Sequence, residues 1–172
     1  SVASRGLGDV YKRQYLFIPI GGGGLISGAI NVFKQLSPKT KIIGIEPKGA
    51  PSMSKSIEKN KLITLNRIDG FVDGVAVKKV GNYSFDYCKE HLDDLIILDE
   101  NEICNSILEL KSYENIIAEP AGAMSSAALR HYRHKIINKN IGCIICGANN
   151  DNSRMPEIIK RADIWKSNNL KN

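Results

Sequence analysis

The sequence predicts a single-domain α/β fold in which helices cover both faces of a parallel sheet. Short apolar runs of strand length alternate with longer segments of helical periodicity along the 172 residues. Glycine-rich or polar turns follow the first and the last apolar run. Strands connected through helices run parallel, and such sheets bind ligands beyond the carboxyl ends of their strands. Both turns are therefore expected at one edge of the sheet.

The first strand and helix are predicted at residues 15–20 and 25–36. The apolar run "YLFIPI" is ended by four glycines, which is typical of a buried strand. Apolar residues then recur at helical spacing from Leu25 to Leu36.

Two further strands are predicted at residues 41–47 ("KIIGIEP") and 93–99 ("DDLIILD"). A helix over residues 100–110 follows the second of them. Asp99 is its expected N-cap, and Glu102 three residues later predicts a capping box.

The last part of the chain adds a helix at residues 121–132, a strand at 141–146 and a helix at 154–165. Pro120 introduces the first of these helices, and Pro156 lies in the first turn of the second.

Composition and charge exclude several classes of protein. The chain is 42% apolar and 24% charged, which is typical of a globular domain. Its net charge of +6 forms no basic stripe with interleaved aromatic residues, so no nucleic-acid partner is expected. No apolar run approaches the ~20 residues of a membrane span. The four cysteines, without a secretory signal, predict reduced thiols in a cytoplasmic protein.

Neither the cysteines nor the histidines predict a metal site. Cys143 and Cys146 have C-x-x-C spacing, but residues three apart on a strand face opposite sides. His131 and His134 lie near a helix end without an obvious third ligand.

The opening "SVASRGLGDVYKRQ" has no periodicity and looks like translated read-through of a sequencing adapter. We predict that residues 1–14 are a non-native leader and that the chain is a fragment.

The four glycines at positions 21–24 expose backbone N–H groups at the positive end of the following helix, which suits an anion such as phosphate. A P-loop needs a lysine after Gly28, where Ala29 stands. The dinucleotide fingerprint fails by one residue, although Glu46 stands where a ribose-binding acid would. A single small phosphate, such as that of pyridoxal phosphate, and a turn without a ligand are the other interpretations.

Several stretches, in order from Tyr15 to about Trp165, resemble one enzyme family. They are "IPIGGGGLISG", "IIGIEP", "FVDGVAVKKVG", "AEPAGA" and "CGANND". The chain resembles the threonine dehydratases (threonine ammonia-lyases), fold-type-II pyridoxal-phosphate enzymes close to serine dehydratases and serine racemases. The stretch "NNDNSRMPEI" is especially similar to the short biosynthetic type. The resemblance implies the three-layer parallel-sheet fold of tryptophan-synthase-β-like enzymes, incomplete here, with residues 15–172 as the C-terminal part of the catalytic domain.

The resemblance also implies a site for pyridoxal 5′-phosphate. The glycine loop would wrap the phosphate, a thiol would face the pyridine nitrogen, and a carboxylate would lie near the cofactor. The residues are Gly21, Gly22, Gly23, Gly24, Leu25, Glu119 and Cys146. A neutral thiol leaves the ring nitrogen largely unprotonated, which favours elimination over transamination. Asp73 lies in a stretch that is near a divalent cation in some relatives, but no metal site is predicted here.

The implied activity is deamination of L-threonine, and of L-serine as a second substrate, by β-elimination of water. The products from threonine are 2-oxobutanoate and ammonia, in isoleucine biosynthesis. The full-length enzyme is expected to be a homo-oligomer that acts on a small amino acid.

No catalytic residue is expected within this chain. The family's Schiff-base lysine stands in a serine-x-lysine-x-arginine motif well before the glycine loop, and Lys41, Lys48, Lys78 and Lys79 match no such position. The alternatives are a serine dehydratase or serine racemase, an NAD-binding Rossmann domain that uses Glu46, and a ligand-binding fragment without activity.

Overall fold

A four-stranded parallel sheet forms the centre of the computed structural model, which describes residues 13–169. The strands are β1 (Tyr15–Pro19), β2 (Lys41–Pro47), β3 (Asp94–Leu98) and β4 (Ile141–Cys143). Their spatial order is β3-β2-β1-β4, and every neighbouring pair is parallel. The predicted fold class is confirmed.

Six α-helices lie within the described part of the chain. They are α1 (Gly24–Leu36), α2 (Ser52–Glu58), α3 (Asn82–His91), α4 (Glu100–Tyr113), α5 (Pro120–Tyr132) and α6 (Met155–Asn169), with a 3-10 turn at Asn152–Arg154 before the last. The four predicted helices correspond to α1, α4, α5 and α6. Helices α2 and α3 were not predicted.

Helices cover both faces of the sheet, because successive strand residues point to opposite sides. Leu16 and Ile18 of β1 pack against α1 residues such as Ile30 in one buried core. Phe17, between them, packs with Met124 of α5 in the other core, which also includes α4 and α6. The result is the expected three-layer arrangement.

Strand β4 is shorter than predicted, and Cys146 is not its last residue. The parallel pairing with β1 ends at Cys143, and Cys146 is exposed three residues further on. The chain leaves the sheet because it bends toward the start of α5, where the Glu119 N–H donates to the Gly147 carbonyl at 3.1 Å.

The predicted N-cap of α4 is present, but the capping box is not. The Asp99 carboxylate accepts the N–H of Asn101 at 2.9 Å. Glu102 instead places its carboxylate 3.0 Å from Nε2 of His131 on α5. Because Glu102 is buried, a partner on the neighbouring helix satisfies its carboxylate where water cannot.

Residues 1–12 of the predicted leader lie outside the described residues. The other two leader residues meet the amino-terminal edge of the sheet. The Thr40 hydroxyl donates to the Arg13 carbonyl at 2.7 Å, and the Lys41 N–H donates to the Gln14 carbonyl at 2.9 Å. Over residues 13–169, no helix has both the length and the apolar character needed to cross a bilayer.

Candidate functional site

The glycine loop connects the carboxyl end of β1 to the start of α1. Gly23 is the N-cap residue and has φ = 91°, the left-handed region that favours glycine. A Cβ at this position would lie 2.5 Å from the Cβ of Ser84. The Gly81 N–H donates to the Gly22 carbonyl at 3.0 Å, which fixes the loop against the start of α3. Glycine is therefore required at position 23 both by backbone conformation and by space.

Among the described residues, no side chain caps or neutralises the start of α1. No side chain caps the helix, and its first turn contains no acidic residue. The first N–H groups of a helix have no partner within the helix and carry its partial positive charge. A Cβ at Gly22 or Gly24 would meet no atom within 4 Å, so the backbone there borders open space. This arrangement can bind an anion through backbone donors alone.

A second wall of the site comes from the turn at residues 71–75, between α2 and α3. A Cβ added at Gly21 would lie 3.2 Å from the Cα of Val75. A Cβ added at Gly74 would lie 2.9 Å from the Cβ of Ala121 and 3.1 Å from Oε1 of Glu119. The turn is therefore packed closely between the glycine loop and the start of α5.

A third wall is formed where α5 begins beside the turn after β4. Glu119 precedes Pro120 at the start of α5, but its carboxylate does not cap its own helix. Its Oε2 accepts the N–H of Asn149 at 3.1 Å, and its backbone N–H donates to the Gly147 carbonyl. Glu119 thus holds the turn that carries Cys146.

These walls enclose a pocket with a volume of about 250 Å³ at the carboxyl edge of the sheet. All seven residues singled out in the sequence line this pocket, so the structure brings together groups up to 125 positions apart. The lining also includes residues that sequence reasoning did not single out: Pro19, Gly74, Val75 and Ala121. The stretches "FVDGV" and "AEPAGA" were the only sequence signals that could have identified the last three.

Cys146 lines the same pocket as the glycine loop and supplies a neutral thiol. Partial burial raises the pKa of its thiol, and the nearby charge of Glu119 raises the pKa further. The thiol is therefore protonated at neutral pH. Cys143, in contrast, directs its sulfur toward the Ser125 carbonyl at 3.7 Å and away from this pocket.

Glu46 does not have the role considered for it in a dinucleotide site. It is completely buried, and its carboxylate accepts the N–H groups of Met53 and Ser54 at 2.7 and 2.8 Å. Burial raises the pKa of Glu46 to about 7, although these hydrogen bonds act in the opposite direction. The carboxylate is occupied at the start of α2 and cannot reach a ribose, so the NAD-binding interpretation is wrong.

The lysines in the described part of the chain do not contribute to the pocket wall. None is among the residues that line it. Lys41 lies near the Tyr15 ring at the opposite, amino-terminal edge, and Lys48 pairs with Asp99 at 3.7 Å. Over residues 13–169, no three His, Cys, Asp or Glu side chains are grouped so that they could hold a metal ion.

A larger open cleft of about 540 Å³ lies between α4, α5 and α6. Its polar groups already contact one another: Arg130 stacks on Trp165 and pairs with Glu109, and His131 pairs with Glu102. It contains no converging backbone donors of the kind found at the glycine loop. The smaller pocket is therefore the better candidate site.

The fold and the pocket define an α/β protein in which the uncapped start of a helix opens into a pocket at the carboxyl edge of a parallel sheet. Bare backbone at a helix start and a protonated thiol in one pocket fit a cofactor that carries a phosphate and a ring nitrogen. Residues 6–147 match the family described as pyridoxal-phosphate dependent enzyme. The chain belongs to this family, and the cofactor of the family is pyridoxal phosphate.

Individual relatives share extended similarity with the chain. A biosynthetic L-threonine dehydratase of Halalkalibacterium halodurans is 49% identical over 153 residues, which cover 89% of this chain and 37% of the relative. Its counterpart in Staphylococcus epidermidis is 51% identical over 154 residues, or 89% of this chain and 36% of the relative. The chain thus spans less than two fifths of the length of these curated relatives.

Solved structures show the same architecture. The processed form of threonine deaminase isoform 2 from Solanum lycopersicum superimposes with a TM-score of 0.85 and 39% identity, over 89% of this chain and 43% of that one. Maize serine racemase gives a TM-score of 0.79 and 28% identity, over 90% of this chain and 50% of that one.

Proposed function

We propose that the chain is the phosphate-binding part of a pyridoxal-phosphate-dependent enzyme that deaminates L-threonine to 2-oxobutanoate and ammonia, in isoleucine biosynthesis. The observation that carries this proposal is the start of α1. It has no cap and no acidic residue, and it opens through the glycine loop into a pocket that also contains Glu119 and Cys146. The names of the most similar relatives support threonine as the substrate.

The pocket residues with polar groups have proposed tasks. The loop N–H groups of residues 22–24 and the N–H of Leu25 bind the phosphate, aided by the helix dipole. The Cys146 thiol donates to the ring nitrogen or accepts from it without placing a charge there. Glu119 holds the turn that carries Cys146 in place. Pyridoxal phosphate, when bound, supplies a ring that stabilises negative charge on the α-carbon of the substrate.

The group that removes the α-proton is proposed to lie outside this chain. No lysine of the described residues lines the pocket, and the curated relatives are more than twice as long as the matched segment. We therefore expect activity from a longer, cytoplasmic and homo-oligomeric protein in which residues 15–172 form the C-terminal part of the catalytic domain. The 172-residue chain alone should release no more 2-oxo acid from L-threonine than free pyridoxal phosphate does.

A chimera tests the proposal. The aligned 153-residue segment of the Halalkalibacterium halodurans relative is replaced by the matching residues of this chain. We expect the chimera to bind pyridoxal phosphate, as followed by cofactor absorbance, and to release 2-oxobutanoate from L-threonine. The unaltered relative is the control for folding, by circular dichroism, and for rate.

The outcomes of the chimera experiment separate the parts of the proposal. A ratio of L-serine to L-threonine turnover well above that of the unaltered relative would favour the second candidate, a serine-directed enzyme, which the likeness to maize serine racemase supports. A folded chimera that binds the cofactor but deaminates neither amino acid would refute the assigned reaction. A folded chimera that does not bind the cofactor would refute the assigned site.

Substitutions at Cys146 test its proposed role in the same chimera. Cys146→Ser keeps a neutral hydrogen-bonding group and should change the rate by less than about threefold. Cys146→Asp adds a second carboxylate beside Glu119, favours a protonated ring nitrogen, and should slow 2-oxobutanoate release at least about tenfold. If aspartate leaves the rate and the cofactor spectrum unchanged while serine abolishes both, Cys146 does not face the ring.

A further inference from the structure

Arg154 connects two walls of the candidate pocket. It is the last residue of the 3-10 turn that follows the Cys146 segment, and it contacts the turn at residues 71–75. Its guanidinium donates to the Phe71 carbonyl at 2.5 Å and to Oδ1 of Asp73 at 3.4 Å. The same group lies over the Phe71 ring, 5.0 Å from the centroid.

The position of Arg154 is itself fixed locally. The Asp151 carboxylate caps the 3-10 turn by accepting the Ser153 N–H at 2.9 Å, and the Arg154 N–H donates to the Asp151 carbonyl at 3.0 Å. The backbone that carries the side chain is therefore already ordered, so the freedom lost when Arg154 contacts residues 71–75 is that of its own side chain.

The turn at residues 71–75, which Arg154 contacts, includes Gly74 and Val75. Both residues line the pocket. Its internal bonds are few: the N–H groups of Val75 and Ala76 both donate to the Val72 carbonyl, at 3.1 and 3.0 Å. Without a strand or helix to hold it, the turn depends on contacts from outside.

The contact with the Phe71 carbonyl is the stronger of the two polar bonds of Arg154. The Asp73 side chain is 73% exposed, and exposed ion pairs contribute little. The Arg154 side chain is only 25% exposed, and a short, charge-assisted bond to a backbone carbonyl in such a place is considerably stronger.

We propose that Arg154 is a positioning residue for the cofactor pocket: it fixes the 71–75 turn, and with it Gly74 and Val75, relative to the glycine loop and the Cys146 turn. This inference rests on the proposed cofactor site. Arg154 does not line the pocket, so it acts through the turn and not by touching the cofactor.

Arg161 provides a matched control within the same chain. It also lies over the Phe71 ring, at 4.1 Å from the centroid, and it also belongs to the C-terminal region. Its polar bonds, however, go to Glu157 on its own helix and not to the 71–75 turn. Removing Arg161 therefore removes a stacking contact on Phe71 without removing a bond to the turn.

The experiment uses the full 172-residue chain and two measurements. Hydrogen exchange reports the protection of the Val75 and Ala76 N–H groups, and a fluorescence titration reports the affinity for pyridoxal 5′-phosphate. Arg154→Ala should speed exchange at both amides about tenfold or more and weaken cofactor binding about tenfold. Arg161→Ala should change both quantities by less than about threefold.

Arg154→Lys separates charge from geometry. Lysine keeps a positive charge near Asp73 but lacks the planar fork that reaches the carbonyl and the carboxylate together, so its values should lie between those of the unaltered chain and Arg154→Ala. Equal exchange in Arg154→Ala and Arg161→Ala would overturn the inference, as would faster exchange in Arg154→Ala without weaker binding. If the unaltered chain binds no pyridoxal phosphate, the proposed site fails, and the exchange data alone decide whether Arg154 fixes the turn.

Discussion

Helices α1 and α2 both begin just beyond the carboxyl end of a strand, yet only α2 has a side chain that accepts the N–H groups of its first turn. At α2, the buried carboxylate of Glu46 accepts the N–H groups of Met53 and Ser54. At α1, no side chain caps the helix, and the glycine loop leaves the N–H groups facing a pocket. Helix α4 resembles α2, because Asp99 accepts the N–H of Asn101.

The difference shows that, of these three helix starts, the one at α1 is open to a ligand. A helix start attracts negative charge whether that charge belongs to the protein or to a bound anion. The protein supplies its own carboxylates at α2 and α4, so these helix starts are structural. It supplies none at α1, so an external phosphate can take that place.

The largest expected effect comes from adding a methyl group to the glycine loop. Gly23→Ala forces alanine to φ = 91° and places its Cβ against Ser84. We expect a loss of about 4 kcal/mol in the free energy of unfolding, from backbone strain and overpacking together. Urea unfolding of the chain measures this loss.

Gly28→Ala is the control for this substitution. Gly28 lies within α1, and a Cβ there would meet no atom within 4 Å. This variant should be more stable by up to about 1 kcal/mol, because alanine favours a helix more than glycine does. Equal effects of the two substitutions would mean that the loop conformation is not constrained as described.

The second-largest effect is a change of about 3 kcal/mol in the free energy of unfolding with pH, and it comes from Glu46 at the start of α2. Burial raises the pKa of Glu46 from the unfolded value of 4.5 to about 7. Below pH 4 the carboxyl is protonated in both states. Between pH 4.5 and 7, the folded chain retains a proton that the unfolded chain has lost, so stability falls as the pH rises across this interval and levels off once Glu46 ionises in the folded chain as well.

Glu46→Gln should abolish this pH dependence. Between pH 4 and 8, the free energy of unfolding of the unaltered chain should fall by about 3 kcal/mol relative to the variant. Urea unfolding at several pH values measures the difference. Parallel pH profiles for the two proteins would contradict the raised pKa.

The smallest effect concerns the cap of α4. Asp99→Ala removes the acceptor for the Asn101 N–H and should cost about 1 kcal/mol of stability, whereas Asp99→Asn should cost only a few tenths. Neither substitution should alter binding of pyridoxal phosphate, because Asp99 does not line the pocket. A change in cofactor affinity would show that the helix starts are not independent.

The sequence was most informative where periodicity or glycine spacing is strong. The apolar run of β1, the four glycines and the helical repeat of α1 predicted this unit nearly to the residue. Helices α2 and α3 were not predicted because each buries only three residues, serines among them, and so shows little apolar periodicity.

The parts of the site that were missed depend on contacts between distant segments. Gly74 and Val75 lie in a turn without regular structure, and only the fold brings them against Gly21. Glu46 follows the glycine loop at the position where a ribose-binding acid would stand. Nothing in the sequence shows that the start of α2 folds back over its carboxylate. Whether a helix start is satisfied by a carboxylate of the protein is therefore a property of the folded chain.

The most direct test of the account is an amide-resolved NMR titration of the chain with pyridoxal 5′-phosphate. We expect the largest shifts at the N–H groups of residues 22–26, at the open start of α1. The N–H groups of Met53, Ser54 and Asn101 should not move, because Glu46 and Asp99 already occupy them. Shifts of equal size at the starts of α1, α2 and α4 would contradict this account, and so would the absence of shifts at residues 22–26. Either result would mean that α1 is not the one helix start of these three that is open to an external phosphate.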